Sequence, residues 1–318
     1  MRDNSGAPPV LMHRAPHSAA PHARVCLRGI NMRQQYDELP KPKTYEGMSQ
    51  YRPPLCFELT GREFALVMDN GYDYILRFSD REKLEFGTEG EELESYAYDC
   101  LKADDDTYFV NFELTGAVPR TGISFVLDME QGLVTENFCT VGQNPRYPKM
   151  PKPKIIFGAI RRADGTVPAK RHGYTDDLVG RAILWSYGTM SVVHVYSSER
   201  YYRLTVSREV MERLKAEDPE RHSEMQAMVG SRLYEEPGDY IKIKEGIYVF
   251  NANEEMACRD RGQGNNLFFL MNLNRMHDVG RSFGHNGDGG PENYTYGAFG
   301  EYYDTSELHA RKSTEYIR

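Results

Sequence analysis

From about Leu55 onward the chain is written in short apolar–polar alternations broken by turns, and no other feature limits its fold as tightly. The runs FALVM, YDYILRF, TYFVNF, GISFVLDM, AILWSY, VVHVY, YIKIKEGIYVF and NLFFLMNL recur at strand length, with Asn70-Gly71, Gln131-Gly132 and Pro237-Gly238 between them. Alternation with period two points one set of side chains to a core and the other to solvent. Short strands at this spacing read as antiparallel sandwiches or barrels. One stretch breaks the pattern. Ser207 to Gly230 (SREVMERLKAEDPERHSEMQAMVG) is charged and helix-prone, with Pro219 in its middle. It reads as a kinked helix or helical pair inserted among strands, its charges a solvated face.

The pattern also repeats. LTGR at Leu59–Arg62 returns as LVGR at Leu178–Arg181, an offset of 178 − 59 = 119. The same offset lays Ser79-Asp80-Arg81 on Ser198-Glu199-Arg200. Further along, GISFVLDMEQG aligns with NLFFLMNLNRM, where Phe125 meets Phe269 at an offset of 144. The growth of 25 matches the inserted helical stretch. Two copies of one β unit explain most of the chain. Units of this size fit two up-and-down barrels, which close on themselves and leave no edge strand. The Pro- and Lys-rich stretch through Lys154 (QNPRYPKMPKPK) reads as an extended segment ending the first unit. The expected organisation is a tail over 1–42, a barrel over 43–158, a linker over 159–171, a second barrel over 172–305 and a tail over 306–318.

Composition removes several functions. Across 318 residues, 39 Lys and Arg against 47 Asp and Glu leave a net charge of −8. That balance is wrong for a nucleic-acid binder. No apolar run approaches the length of a membrane-spanning helix. The cysteines (Cys26, Cys56, Cys100, Cys139 and Cys258) are scattered, odd in number and free of C-x-x-C spacing. They read as reduced thiols, which with the absence of a secretory signal implies a cytoplasmic protein. His277-Asp278, His285 and the Gly-rich Asn286–Asn293 loop lack the spacing of a calcium or zinc site, so no metal is expected. No G-x-S-x-G, H-E-x-x-H or phosphate-cradling motif is present, and no cofactor is expected.

Two resemblances follow from particular residues. RHGYTDDLVGRAILWSYGTMSVVHVYSSERYYRL (Arg171 to Leu204) resembles the C-terminal domain of the molybdenum-cofactor biosynthesis protein F (MoaF) family. LTGREFALVMDNG through TYFVNFELTG resembles that family's N-terminal domain. This resemblance implies a mainly β protein with two tandem calycin or lipocalin-like antiparallel barrels, here with a helical insertion in the second. The second unit is also similar to the phenolic acid decarboxylases, which are cofactor-free lyases on a calycin barrel. Gly180–Tyr187, Gly230-Ser231-Arg232, EGIYVFNANE (Glu245–Glu254) and NRMH (Asn274–His277) run in the same order. The resemblance places that family's second tyrosine on Tyr187, its arginine on Arg232 and its glutamate on Glu254. Trp185 stands where the first tyrosine would be, and Leu66 and Met68 hold both tyrosine places in the first unit.

Strand parity then groups a candidate site. Trp185 and Tyr187 share a face, as do His194 and Tyr196, and as do Tyr248, Phe250, Ala252 and Glu254. Aimed into one cavity with Arg232, they form an apolar pocket with a few polar groups. Arg232 would bind a substrate carboxylate through its planar fork. Tyr187 would donate a hydrogen bond, and a desolvated Glu254 would act as general acid. Trp185, His194, Tyr196 and Tyr248 would line the substrate. The expected function is a lyase or isomerase, such as a non-oxidative decarboxylase, on a small aromatic or carboxylate-bearing compound. The alternative is a carrier with the barrel and no chemistry. The expected partner is the small molecule itself, with neither nucleic acid nor membrane, in a chain able to form a homodimer.

Overall fold

The computed structural model describes residues 48–188, 191–206, 208–220, 222–223, 234–254, 262, 264–286 and 289–305. The sequence reading of both tails, of Cys26 and Cys258, and of Arg232 lies outside these residues.

The first eight strands are β1 (Glu63–Met68), β2 (Asp73–Arg77), β3 (Lys83–Thr88), β4 (Glu94–Lys102), β5 (Thr107–Leu114), β6 (Arg120–Asp128), β7 (Leu133–Val141) and β8 (Pro151–Ile160). Each pairs antiparallel with its successor, and β8 returns to β1, so the sheet closes into a barrel. The Pro- and Lys-rich stretch read as an extended segment ends in strand: its last four residues open β8, with Pro151 and Pro153 opposite Val141 and Cys139. Proline lacks the N–H a ladder needs, which is why this strand does not read as one.

A two-residue β9 (Gly173–Tyr174) leads into the second unit. It comprises β10 (Ala182–Ser186), β11 (Ser191–Tyr196), β12 (Tyr201–Thr205), helix α1 (Arg208–Glu217), β13 (Tyr234–Lys244), β14 (Ile247–Asn253), β15 (Asn265–Asn272), β16 (His277–His285) and β17 (Pro291–Tyr302). Strands β10–β17 pair in order, and β17 returns to β10. The β12–β13 pairing completes a second closed barrel, with β9 attached outside to β13. The architecture is thus two tandem calycin-like barrels. Pro237-Gly238 is not a turn but part of β13, opposite Tyr201 and Ala252. Any larger residue at Gly238 would strike the Phe250 ring.

The repeat is one of strand position. Leu59–Arg62 precedes β1 and Leu178–Arg181 precedes β10; Phe125 lies on β6 and Phe269 on β15, the sixth strand of each barrel. Residues 89–93 separate the third and fourth strands of the first barrel, and residues 206–233 separate those of the second. That difference, 28 − 5 = 23 residues, accounts for nearly all the drift in offset, and α1 lies within it. Along α1 most described side chains are exposed, with Met211 and Leu214 half-buried one turn apart.

Alternation is clean on β1 and β3 and lost on β5, β6, β7, β14, β15 and β16, which are buried on both faces. Those strands carry the surface between the barrels. Leu101, Phe109 and Val126 of the first barrel pack there against Ile241, Val249, Phe268, Leu270 and Val279 of the second. A strand covered on both sides needs apolar residues on both. The interface also holds Arg281, whose guanidinium donates to the Ile123 carbonyl at 2.7 Å and to Asn293 Oδ1 at 2.9 Å. Asn137 donates to Asn266 at 2.7 Å, and Asn266 to Asn251 at 2.8 Å, a chain of amides from one barrel to the other.

Candidate functional site

The interior of the second barrel is built by parity. On β10 and just beyond it, Ile183, Trp185 and Tyr187 point inward; on β11, Val192 and Tyr196 do so. They meet Tyr202, Tyr240, Tyr248, Phe250, Phe269, Met271 and Tyr296 from the other strands. Trp185, Tyr187, Tyr196, Tyr202, Tyr240 and Tyr296 are all fully buried. The deep half of the barrel is therefore filled by side chains, as small barrels are.

The structure does not bring the expected residues to one point. Trp185 Nε1 donates to Tyr196 Oη at 3.3 Å, and Tyr196 Oη to Met271 Sδ at 3.3 Å, inside the packed region. His194 sits among Tyr202, Phe250 and Phe269 with ring centroids 5.4–5.5 Å away. Burial pulls its imidazole down to about 3, so it is neutral near pH 7. Tyr248 is the second residue of β14, and Glu254 follows the strand's end, six residues on. At about 3.3 Å per residue they lie roughly 20 Å apart along the barrel wall. Tyr248 belongs to the other end, where its hydroxyl donates to Asp177 at 2.9 Å and Lys242 donates to the same oxygen at 2.7 Å.

Tyr187 finds a partner that parity alone did not single out. Its hydroxyl donates to Asp278 Oδ2 at 3.4 Å, and its ring meets Tyr296 edge-on at 5.8 Å. Asp278 is fully buried, and burial pushes its carboxyl far above the ordinary carboxylate range. Its Oδ1, the Tyr296 hydroxyl and His194 Nδ1 have no hydrogen-bond partner among the described residues. Each such atom costs about 1–3 kcal/mol when nothing meets it. Asp278 shares its face of β16 with Gly280, but a single aspartate beside a histidine carries no sequence signal of a buried pair with Tyr187. His277 Nε2 in fact donates to the Tyr51 carbonyl at 3.2 Å.

Glu254 lies at an acidic end. Tyr202 opposes Glu236, and Gly238 opposes Ala252. The Glu254 amide donates to the Asn265 carbonyl at 3.0 Å. Asn265 opposes Gly284, and Gly284 opposes Glu292. One line of inward positions across β13–β17 therefore carries Glu236, Glu254 and Glu292. Glu292 is held by Asn265 Nδ2 at 3.1 Å and Ser282 Oγ at 3.2 Å. Glu254 is half-buried, and burial first, then the carboxylates of Glu236 and Glu292, push it up to about 7. A carboxyl that titrates there can give or take a proton near neutrality. Glu236 and Glu292 were missed because their partners come from strands far away in sequence.

Among the described residues no group of three or more His, Cys, Asp or Glu side chains is arranged to hold a metal ion. No described helix is long and apolar enough to cross a membrane. Outside the barrels a groove of about 910 Å³ runs between β8, β9 and β13, lined by Tyr174, Arg200, Tyr201 and Asp239 among others.

No curated protein matches the chain. Residues 43–142 match the model of the MoaF N-terminal domain, a span that takes in β1 through β7 and so seven of the eight strands of the first barrel.

Proposed function

We propose that the second barrel takes a small aromatic molecule at its acidic end and that Glu254 exchanges a proton with it, in a cofactor-free lyase or isomerase reaction. One observation carries this reading: Glu254, at the end of an aromatic-walled barrel, has its carboxyl pushed up to about 7 by burial and by two other carboxylates. A site that raises one carboxyl in this way is arranged for acid–base work.

For a para-hydroxylated aromatic acid the steps balance without a cofactor. Protonated Glu254 delivers its proton to the side-chain carbon, electrons from the phenol support the resulting cation, and the bond to the carboxylate breaks to release CO2. In this reading Arg232 holds the departing carboxylate through its planar fork. Trp185, His194, Tyr196 and the Tyr187–Asp278 pair pack the interior behind that end, and Tyr248, held by Asp177 at the opposite end, takes no part in this site. A second reading, a carrier, is favoured by the partial exposure of Glu254 at the barrel end, where it would be a binding contact rather than an acid.

The test is a turnover assay with small para-hydroxylated aromatic acids, followed by mass spectrometry, on the parent chain and Glu254→Gln. The enzyme reading expects Glu254→Gln to keep ligand binding and lose turnover by about 10²–10⁴-fold. Equal binding with no turnover in either protein would leave the carrier.

A further inference from the structure

A different pair of groups lies in the first barrel, away from the acidic end. Cys56 precedes β1 and is half-buried, whereas Cys100 lies on β4 and is buried in the barrel's core. The Cys56 amide donates to the Cys100 carbonyl at 2.8 Å, which brings the two backbones side by side. The Cys100 thiol, 3.9 Å from the Leu101 carbonyl, lies beside Cys56, and Lys102 and the Glu58 amide also face the Cys56 sulfur. Lys102 is fixed there by Glu58, at 2.7 Å, and Glu58 in turn accepts from the Tyr108 hydroxyl at 2.8 Å.

We infer that Cys56 and Cys100 are a reversible redox pair, in which a hydroperoxide oxidises Cys56 and Cys100 then closes an intramolecular disulfide. The outer thiol is the one positioned to meet an oxidant, and the inner thiol is the one positioned to resolve it. The interaction with Cys100 is the largest influence on Cys56 and brings its thiol down to about 7, so thiolate is available near neutrality. The interaction with Cys56 first, and then burial, hold Cys100 well above its ordinary value, as a thiol.

The steps balance. The Cys56 thiolate attacks one peroxide oxygen; the O–O bond breaks, the other oxygen takes up a proton and leaves as an alcohol or water, and Cys56 becomes a sulfenic acid. Sulfur loses two electrons and the peroxide gains them. Cys100 Sγ then attacks Cys56 Sγ, giving up its proton; the S–O bond breaks and the oxygen leaves as water. A dithiol reductant reverses the second product to two thiols.

The disulfide would fasten a strap that already spans the molecule. Met48 packs in the second barrel's core, and its carbonyl accepts from the Gly297 amide at 3.2 Å. Arg52 donates to Thr295 Oγ1 at 2.9 Å, and four residues later Cys56 reaches the first barrel. The oxidised bond thus closes the first-barrel end of a segment whose other end is seated in the second.

The experiment uses the full chain in a Cys26→Ser/Cys258→Ser background, titrated with hydrogen peroxide and read by intact and peptide mass spectrometry. The expected product is lighter by two hydrogens, joins the Cys56 and Cys100 peptides, and reverts with dithiothreitol. Cys139, fully buried with its thiol pushed up to about 12 by burial, is expected to stay out of the bond. In Cys100→Ala, dimedone is expected to capture a sulfenic acid on Cys56; in Cys56→Ser no disulfide is expected. Both thiols remaining open to alkylation, at a peroxide dose that fully oxidises glutathione, would overturn the inference. So would a bond to Cys139 or one formed only between chains. The first measurement needs neither cysteine of the pair replaced, so misfolding of a variant does not shield the proposal.

Discussion

Burial displaces the carboxyls of Glu254 and Glu136 in the same direction, the first with the help of two like charges. Glu254 is raised to about 7 by burial and by like charges at the barrel end. A proton donor with that value is charged above pH 7, so turnover by the parent chain is expected to fall as pH rises through 7 in a pH–rate profile. A rate that increases across the same range would make Glu254 a base. Glu136, by contrast, lies alone on β7, fully buried, and neither of its oxygens has a partner among the described residues. Burial pushes it up to about 8 from 4.5. The native state therefore holds this proton where the unfolded chain has released it, and stability falls as pH rises from 4.5 toward 8. The slope is about 1.4 kcal/mol for each pH unit between those limits. Below 4.5 the cost is absent, and above 8 it is complete. Glu136→Gln is expected to match the parent in urea unfolding at pH 4 and to be more stable at pH 9. Parallel curves at both pH values would contradict the assignment. Glu254 was readable from sequence, because it extends an inward-facing set on β14. Glu136 was not, since a lone glutamate in LVTENFCTV looks like the solvent side of a strand.

At the scale of elements, inward and outward faces were legible, while position along the barrel was not. Trp185 with Tyr187, His194 with Tyr196, and Phe250 with Ala252 all share the faces that period two assigns. What parity omits is height. Tyr248 and Glu254 share a face yet serve opposite ends, because a strand of this length crosses the whole wall. The packing of β16 against β17 shows how closely that wall is filled. Gly280 opposes Tyr296, and a Cβ at Gly280 would fall within the Tyr296 ring. Gly280→Ala is expected to cost about 1–3 kcal/mol by overpacking, seen as a lower urea midpoint with an unchanged slope. An unchanged midpoint would mean that Tyr296 does not lie over the glycine. The prolines of β8 and β13 show the other blind spot. At Pro151 and Pro153 the local signal for an unpaired extended segment, and at Pro237 that for a turn, is outweighed by neighbouring strands that hold the chain in the ladder.

For the molecule as a whole, the repeat in sequence was enough to read two barrels, and the shared surface was not readable. Its signature is the loss of alternation on β5–β7 and β14–β16, which in a single sequence is indistinguishable from an ordinary apolar run. Phe109 and Phe268 meet across that surface with ring centroids 5.7 Å apart, and both are buried. Phe109→Ala and Phe268→Ala are each expected to cost about 3–5 kcal/mol and to lower one common thermal transition. Because the two rings touch, the double variant is expected to cost less than the sum. Two separate transitions in the parent, only one of them shifted by each variant, would show barrels that unfold independently.

The central role proposed for Glu254 is to move a proton to or from a bound small molecule. That is measured by incubating the full chain with a library of small aromatic compounds in deuterated water and following each mass. At least one compound is expected to gain deuterium at carbon, or to lose CO2 and gain deuterium, with the parent chain and not with well-folded Glu254→Gln. The same mass change in both proteins, or none with a compound that the parent demonstrably binds, would contradict it.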